Sequence, residues 1–307
     1  MSTNYIVITN CTSRKRAGTR PLRFGRQLLG ADLRETAQRW GHELRVTTPK
    51  VPISHLYVGR SMTTAKWVAA ELCAPLYVVS AGLGLVGIDD EAPAYDLSIA
   101  GTEGRLQSAL DRFNKRPAAW WSLLSKNGGL RELAARNPGS VMLIALPAAY
   151  MEMVSDDLAS CSSRELARIR IFTSLPGIDA LPRKLARNVV PYDDRLESVR
   201  GYAGTRADYP QRAMRHFVEK LGAHRLSVDQ ARKVVSRSLG QFVKPQRVER
   251  RRAEDDIIKQ LIRRQWHATG GRSGALLRYL RDEALVSCEQ SRFAQLCREI
   301  RHEASRS

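Results

Sequence analysis

The stretch Tyr5-Ile6-Val7-Ile8-Thr9-Asn10-Cys11-Thr12-Ser13-Arg14-Lys15-Arg16 joins a short β-branched run to a polar, basic loop closed by Gly18. Continuous apolar character over so few residues is the pattern of a strand buried on both faces. A strand that runs straight into such a loop places the loop at the carboxyl rim of a sheet, where open α/β folds bind ligands. Three later runs read the same way: Pro75 to Ser80, Val141 to Leu146 and Arg170 to Ser174. Asn188-Val189-Val190-Pro191 is a candidate fifth strand.

Helical spacing separates these runs. Leu28, Leu29, Leu33, Ala37 and Trp40 predict a helix over Gly25 to Gly41, followed by a candidate strand over His42 to Thr48. Thr63 to Leu72, Arg105 to Phe113 and Ala118 to Arg136 also read as helices. Strands alternating with helices imply an α/β fold: a mostly parallel sheet with helices on both faces, over residues 1–200. Beyond it, helices are expected from Pro210 to Leu221, after a Ser227 cap, over residues 245–268, and over Ser273 to Arg281 and Ser291 to Glu303, with a hinge at Gly270-Gly271. No strand is expected there, so residues 201–307 read as an all-helical, arginine-rich module.

The chain has 307 residues, of which 43% are hydrophobic and 26% charged, an ordinary globular balance. The sign of the charge is not ordinary: 50 Lys and Arg face 31 Asp and Glu, a formal net charge of +19. A surface of that sign calls for an anionic partner, and DNA and RNA are the commonest. Cys11, Cys73, Cys161, Cys288 and Cys297 are scattered without CxxC spacing, which supports neither a disulfide framework nor a zinc knuckle. The histidines show no ligand spacing; His216, His224, His267 and His302 read as surface residues. Phosphate-loop, dinucleotide, zinc-protease and nucleophile-elbow motifs are absent, so neither cofactor nor metal is expected. No signal-peptide pattern opens the chain and no apolar run reaches membrane-spanning length, which predicts a cytoplasmic protein with no membrane partner.

Two strand ends carry the candidate chemistry. Cys11 sits in a hydroxyl-rich loop beside Arg14, Lys15 and Arg16, surroundings that favour a nucleophilic thiolate. The same loop can instead hold a phosphate through Thr12, Ser13 and Lys15, and a lone cysteine at a strand end can be a packing residue. Ser80-Ala81-Gly82-Leu83-Gly84 is a small-residue turn that permits close approach of a planar ligand. Tyr95-Asp96 follows it, and Asp96 is a candidate general base or base-edge acceptor, or else an ordinary turn residue. Between Gly201 and Arg212, Tyr202 and Tyr209 interleave with Arg206 and Arg212, a pattern suited to stacking and phosphate contact or to a charged linker. Arg247, Arg250, Arg251, Arg272 and Arg278 are candidate phosphate contacts of the C-terminal module, although Glu254, Asp255 and Asp256 interrupt the run.

Cys11-Thr12 with Lys15, then Leu56-Tyr57-Val58-Gly59, then Tyr77 to Leu85 and Tyr95-Asp96-Leu97 follow one another in an order that resembles the YaaA-like superfamily, relatives of a peroxide-stress protein. The resemblance covers residues 5 to about 100 and departs at Gly82-Leu83, where relatives carry a basic or aromatic pair. It implies DNA binding or DNA protection and a place beside gene clusters that insert 7-deazaguanine bases into DNA. One reaction it implies is conversion of a nitrile on the inserted base to an amide, with other proteins of such a cluster as partners. In that reading Cys11 adds to the nitrile carbon, Lys15 or a backbone amide stabilises the developing anion, and Asp96 activates water. Thr12, Ser13, Ser80, Gly82, Gly84 and Tyr95 then form the base pocket, and the substrate nucleotide is extruded from its stack. A glycosidic reaction with Asp96 as base is an alternative chemistry. A non-catalytic DNA-binding protein and an interaction subunit of a modification or defence complex are the alternative classes.

Overall fold

The computed structural model describes residues 4–12, 21–99, 105–125, 128–246 and 249–304. Ser13, Arg14, Lys15, Arg16 and Arg247 lie outside these residues. The chain divides into two compact units, Met1–Pro245 and Gln246–Ser307.

The first unit is mixed α/β, built on a five-stranded, mostly parallel sheet. Its centre is β1 (Asn4–Asn10), with Ile6, Val7 and Ile8 at most 2% exposed. β1 pairs in parallel with β2 (Leu76–Ser80) on one side and β4 (Ser140–Ala145) on the other, Val7 standing opposite both Leu76 and Leu143. β5 (Ile169–Phe172) adds in parallel to β4. β3 (Gly84–Gly87) folds back antiparallel on β2, so the order is β3-β2-β1-β4-β5. Gly84, expected within a turn, therefore opens a strand, at a φ of +79° that favours glycine. The expected fifth strand at Asn188 to Pro191 is reduced to a single bridge between Val189 and Ile171 of β5. From β1 the chain crosses to β2, then returns past β1 to β4. The crevice at the carboxyl ends of β1 and β4 is thus the topological switch point of the sheet.

The principal helices of this unit are α1 (Leu33–Val46), α2 (Arg60–Glu71), α3 (Pro117–Leu124), α4 (Ala148–Ala159), α5 (Tyr209–Glu219) and α6 (Val228–Leu239). Three differ from the sequence expectation. α1 starts only after Asp32, whose side chain accepts from the Glu35 N–H at 2.7 Å, and it runs on through the segment expected as a strand. Leu44, one turn beyond Trp40, extends the buried stripe and keeps the chain helical. Ala118 to Arg136 is not one helix: α3 ends at Leu124, and Leu130–Arg136 restarts after Gly128 (φ +116°), with Asp157 accepting from the Leu130 N–H at 2.7 Å. Finally, α5 packs on α2, β4 and β5, so the residues beyond 200 belong to the α/β unit as far as Pro245.

The second unit holds α7 (Asp255–Thr269), α8 (Ser273–Asp282) and α9 (Gln290–Ala304) around Ile258, Ile262, Leu276, Leu280, Phe293 and Leu296. The helix expected over residues 245–268 begins only at Asp255. Ahead of it, Arg251–Arg252 pairs in parallel with Val286–Ser287, a short ladder the sequence did not announce. Gly270, at a φ of +59°, ends α7 in the left-handed conformation and turns the chain into α8. Among the described residues no helix is long and apolar enough to cross a membrane.

Two histidines expected at the surface are buried. His224 is 7% exposed, and His216 of α5 is 3% exposed, its Nδ1 2.8 Å from Tyr192 Oη and its ring edge-on to Tyr202. Burial lowers the His216 pKa to about 4, against an ordinary value of 6.5. Below pH 6.5 the unfolded chain binds this proton and the folded chain does not, so stability falls as the pH drops from 6.5 towards 4. The loss attributable to His216 is on the order of 2–3 kcal/mol. Replacing His216 by Phe is expected to flatten the acid limb of a urea-midpoint profile between those pH values. An unchanged slope would remove His216 as its cause.

Candidate active site

Six hydroxyl- and thiol-bearing side chains converge at the carboxyl rim of the central strands. Cys11 follows β1 directly, with its N–H donating to Val79 O at 2.9 Å, and its thiol is 3% exposed. Its Sγ lies 3.0 Å from Oη of Tyr150, in the first turn of α4. Tyr150 also hydrogen-bonds the Ser98 hydroxyl. The contact between Cys11 and Tyr150 therefore bridges the two strands that flank the switch point.

A second hydroxyl group of residues adjoins it. Ser80 Oγ, at the end of β2, accepts from the Gly82 and Leu83 N–H groups at 3.1 and 3.0 Å. The same oxygen accepts from Tyr57 Oη at 3.4 Å and shares a hydrogen bond with Tyr95 Oη, 2.5 Å away. Tyr95 in turn shares a short hydrogen bond with Tyr57. Burial raises the pKa of Tyr57, Tyr95 and Tyr150 well above the ordinary phenol value, and negative charge on Cys11 raises each further. All three are neutral hydrogen-bond donors at physiological pH.

Tryptophans fix the turn that carries Gly82. Trp40 of α1 donates to Gly82 O and Trp120 of α3 donates to Ala81 O, each at 2.7 Å. The planar group that approaches Gly82 is the protein's own Tyr95 ring: a Cβ at residue 82 would lie 2.5 Å from Tyr95 Cε2. Across the crevice, Gln211 of α5 donates through Nε2 to Thr9 Oγ1, Asn10 Oδ1 and Ala145 O at 2.9–3.0 Å. Its Oε1 is buried with no partner among the described residues.

The structure thus gathers Cys11, Ser80, Gly82 and Tyr95. Thr12 stands beside them, its hydroxyl donating to Val58 O at 3.0 Å. Gly84 is one strand position from the turn. Asp96 does not join them. It is exposed while Tyr95 is buried, and strand alternation sends their side chains to opposite faces. Its expected role as the carboxylate partner of Cys11 is corrected accordingly.

Arg212 is a second correction. Its side chain is 6% exposed and is held by Asp208 at 2.9 Å, Glu197 at 2.8 Å and Thr205 O at 2.8 Å. A guanidinium so enclosed cannot reach a phosphate backbone. Tyr202 and Tyr209 are buried as well and offer no stacking platform. Arg206, Arg250, Arg251, Arg272 and Arg278 are exposed.

Tyr57 and Tyr150 received no role from the sequence. Tyr57 was visible within the Leu56 to Gly59 block, and Tyr150 stands four residues past the third strong strand, at the rim where ligands bind. Gln211 carried no sequence signal, because its partners come from strands 66 to 202 residues away in the chain.

No protein-family profile, curated protein or solved structure matches this chain.

Two substitutions test this construction. Gly82→Ala forces the Tyr95 ring aside and is expected to cost about 1–3 kcal/mol, read as a lowered urea midpoint. Arg212→Met leaves Asp208 with the Thr205 N–H, at 2.8 Å, and with Arg60, 3.5 Å away, as its one cationic partner among the described residues. It is expected to cost about 3 kcal/mol or more, whereas Arg206→Met stays within about 0.5 kcal/mol of wild type. Equal effects at Arg206 and Arg212 would contradict the structural role assigned to Arg212.

Proposed function

We propose that this chain is a DNA-binding enzyme that modifies a nucleobase, with Cys11 as nucleophile at the switch point of the sheet. The proposal includes the YaaA-like resemblance, cytoplasmic location, helices on both faces of the sheet and a basic, largely helical C-terminal module that grips nucleic acid. One observation carries it: Cys11, at the carboxyl rim of β1, meets a neutral phenol at hydrogen-bond distance beside the switch point, the end of the sheet where open α/β folds bind ligands.

The chemistry these groups suit is addition to an electrophilic carbon bonded to nitrogen, such as the nitrile of a 7-deazaguanine base. The Cys11 sulfur forms a bond to the nitrile carbon, and the thiol proton goes to the nitrile nitrogen, giving a thioimidate. Tyr150, held neutral by burial, donates a hydrogen bond to that nitrogen as charge develops. Water then adds to the same carbon, the carbon–sulfur bond breaks, the thiol recovers a proton and the amide leaves. The sheet rim excludes solvent, which strengthens each of these hydrogen bonds.

A second reading has its own support. Ser80, Tyr95, Tyr57 and the two main-chain N–H groups satisfy one another, as a rigid recognition wall in a non-catalytic DNA-binding protein would.

Nucleoside mass spectrometry on an oligonucleotide carrying the 7-deazaguanine nitrile separates the two. Wild-type protein is expected to add the mass of one water to the base. Cys11→Ser abolishes the product, and Tyr150→Phe lowers its rate about 100-fold. Product formation by Cys11→Ser would end the nucleophile assignment. Binding of the oligonucleotide without product by the wild type would leave the recognition protein.

A further inference from the structure

The second unit carries two clefts that share a wall. One, of about 560 Å³, is lined by Arg250, Arg252, Arg281, Ser287, Glu289 and Arg292. The other, of about 360 Å³, is lined by Arg250, Arg278, Arg281 and Asp282 with Gly274 and Leu277. Arg250 and Arg281 belong to both.

The arginines differ in how far they are committed. Arg250 pairs with Asp282 at 3.0 Å and also donates to Arg281 O. Arg292 pairs with Asp255 at 2.7 Å. Arg281 donates to Cys288 O at 3.2 Å and meets no carboxylate among the described residues. The side chains of Arg252, in the larger cleft, and Arg278, in the smaller, form no hydrogen bond or ion pair among the described residues. Elsewhere in this unit Lys259 pairs with Glu299 and Arg263 with Glu303, while the exposed side chains of Arg251, Arg264 and Arg298, outside the clefts, form no ion pair among the described residues. Uncommitted positive charge is thus held on either side of a fixed guanidinium pair, in concave sites that admit an oxyanion.

Arg278 and Arg281 stand one helical turn apart on α8, which places their side chains on one face. A guanidinium is always charged and forks onto phosphate oxygens. Two clefts, each with one free arginine and a shared central pair, fit two phosphates joined by a short link better than one isolated anion. We infer that the twin arginine clefts of the second unit seat successive phosphates of a nucleic-acid strand, with Arg252 and Arg278 as the outer contacts and Arg250 and Arg281 as the wall between them. This rests on the nucleic-acid reading above and gives it a site. The contacts are to the backbone, so binding is independent of base sequence.

The test uses the full-length protein and fluorescence anisotropy with a labelled random-sequence duplex and its single strand. R252Q/R278Q removes the uncommitted arginine of each cleft without breaking a side-chain bond among the described residues. It is expected to weaken binding tenfold or more at about 50 mM salt. The slope of log affinity against log salt should also shrink by about 0.9 per lost contact on duplex and about 0.7 on single strand. R34Q/R45Q, two exposed arginines of α1, is the charge-matched control and should change neither strongly. If the control loses as much as R252Q/R278Q, or if R252Q/R278Q binds like wild type, the clefts are not the site, although the nucleic-acid reading stands. If the wild type ignores both oligonucleotides, that reading itself fails. Inorganic tripolyphosphate forms the last arm. If it displaces the strand fully at equal phosphate concentration, and its binding is lost in R252Q/R278Q, the clefts hold free polyphosphate and the strand assignment is overturned.

Discussion

The Gln211 amide holds the carboxyl ends of the two central strands together. Nε2 reaches a hydroxyl and an amide oxygen on β1 and a carbonyl on β4, where the sheet itself supplies no further ladder. The connections leaving β1 and entering β4 run to opposite sides of β1 at this point, so the sheet itself does not tie the two ends together. Because Gln211 belongs to α5, this clamp also explains why the α/β unit extends past residue 200: a helix remote in sequence closes the crevice from above. Cys11 and Tyr150 are neighbours because the ends that carry them are fixed in this way. Arg212, the next residue along α5, anchors the chain leading into that helix through Asp208 and Glu197.

Among the described residues, the side chains packed against Cys11 are uncharged. The chain carries a large excess of positive charge, yet the described groups nearest Cys11 are uncharged hydroxyls. Burial disfavours ionisation of all three phenols, and a thiolate beside them disfavours it further. Such a wall offers hydrogen bonds without offering a counter-ion. It therefore suits a neutral, hydrogen-bonding group better than an anion.

Much of the sheet was legible in the sequence, because strands buried on both faces leave uninterrupted apolar runs. β1, β2, β4 and β5 announce themselves in that way. β3 did not, since a four-residue strand with glycine at each end looks like the turn that precedes it. His42 to Val46 resembled a strand locally, and only the tertiary contact of Leu44 makes it helical. In the site, Cys11, Ser80 and Tyr95 were visible because they end strands or stand in distinctive blocks. Asp96 was misjudged for a geometric reason: adjacent residues on a strand face opposite ways, so a carboxylate beside a site residue is not thereby in the site. Arg212 and His216 were misjudged because burial of a polar side chain depends on partners from distant elements.

The two borders of the sheet have a further consequence. β3 is only four residues long, and the outer side of β5 is met by Val189 through a single bridge. Neither border presents a long row of free N–H and C=O groups, which is what a strand from another molecule needs for pairing. Polymerisation by edge-to-edge sheet extension is thereby disfavoured, and molecules of this chain can crowd together without knitting their neighbours into fibrils.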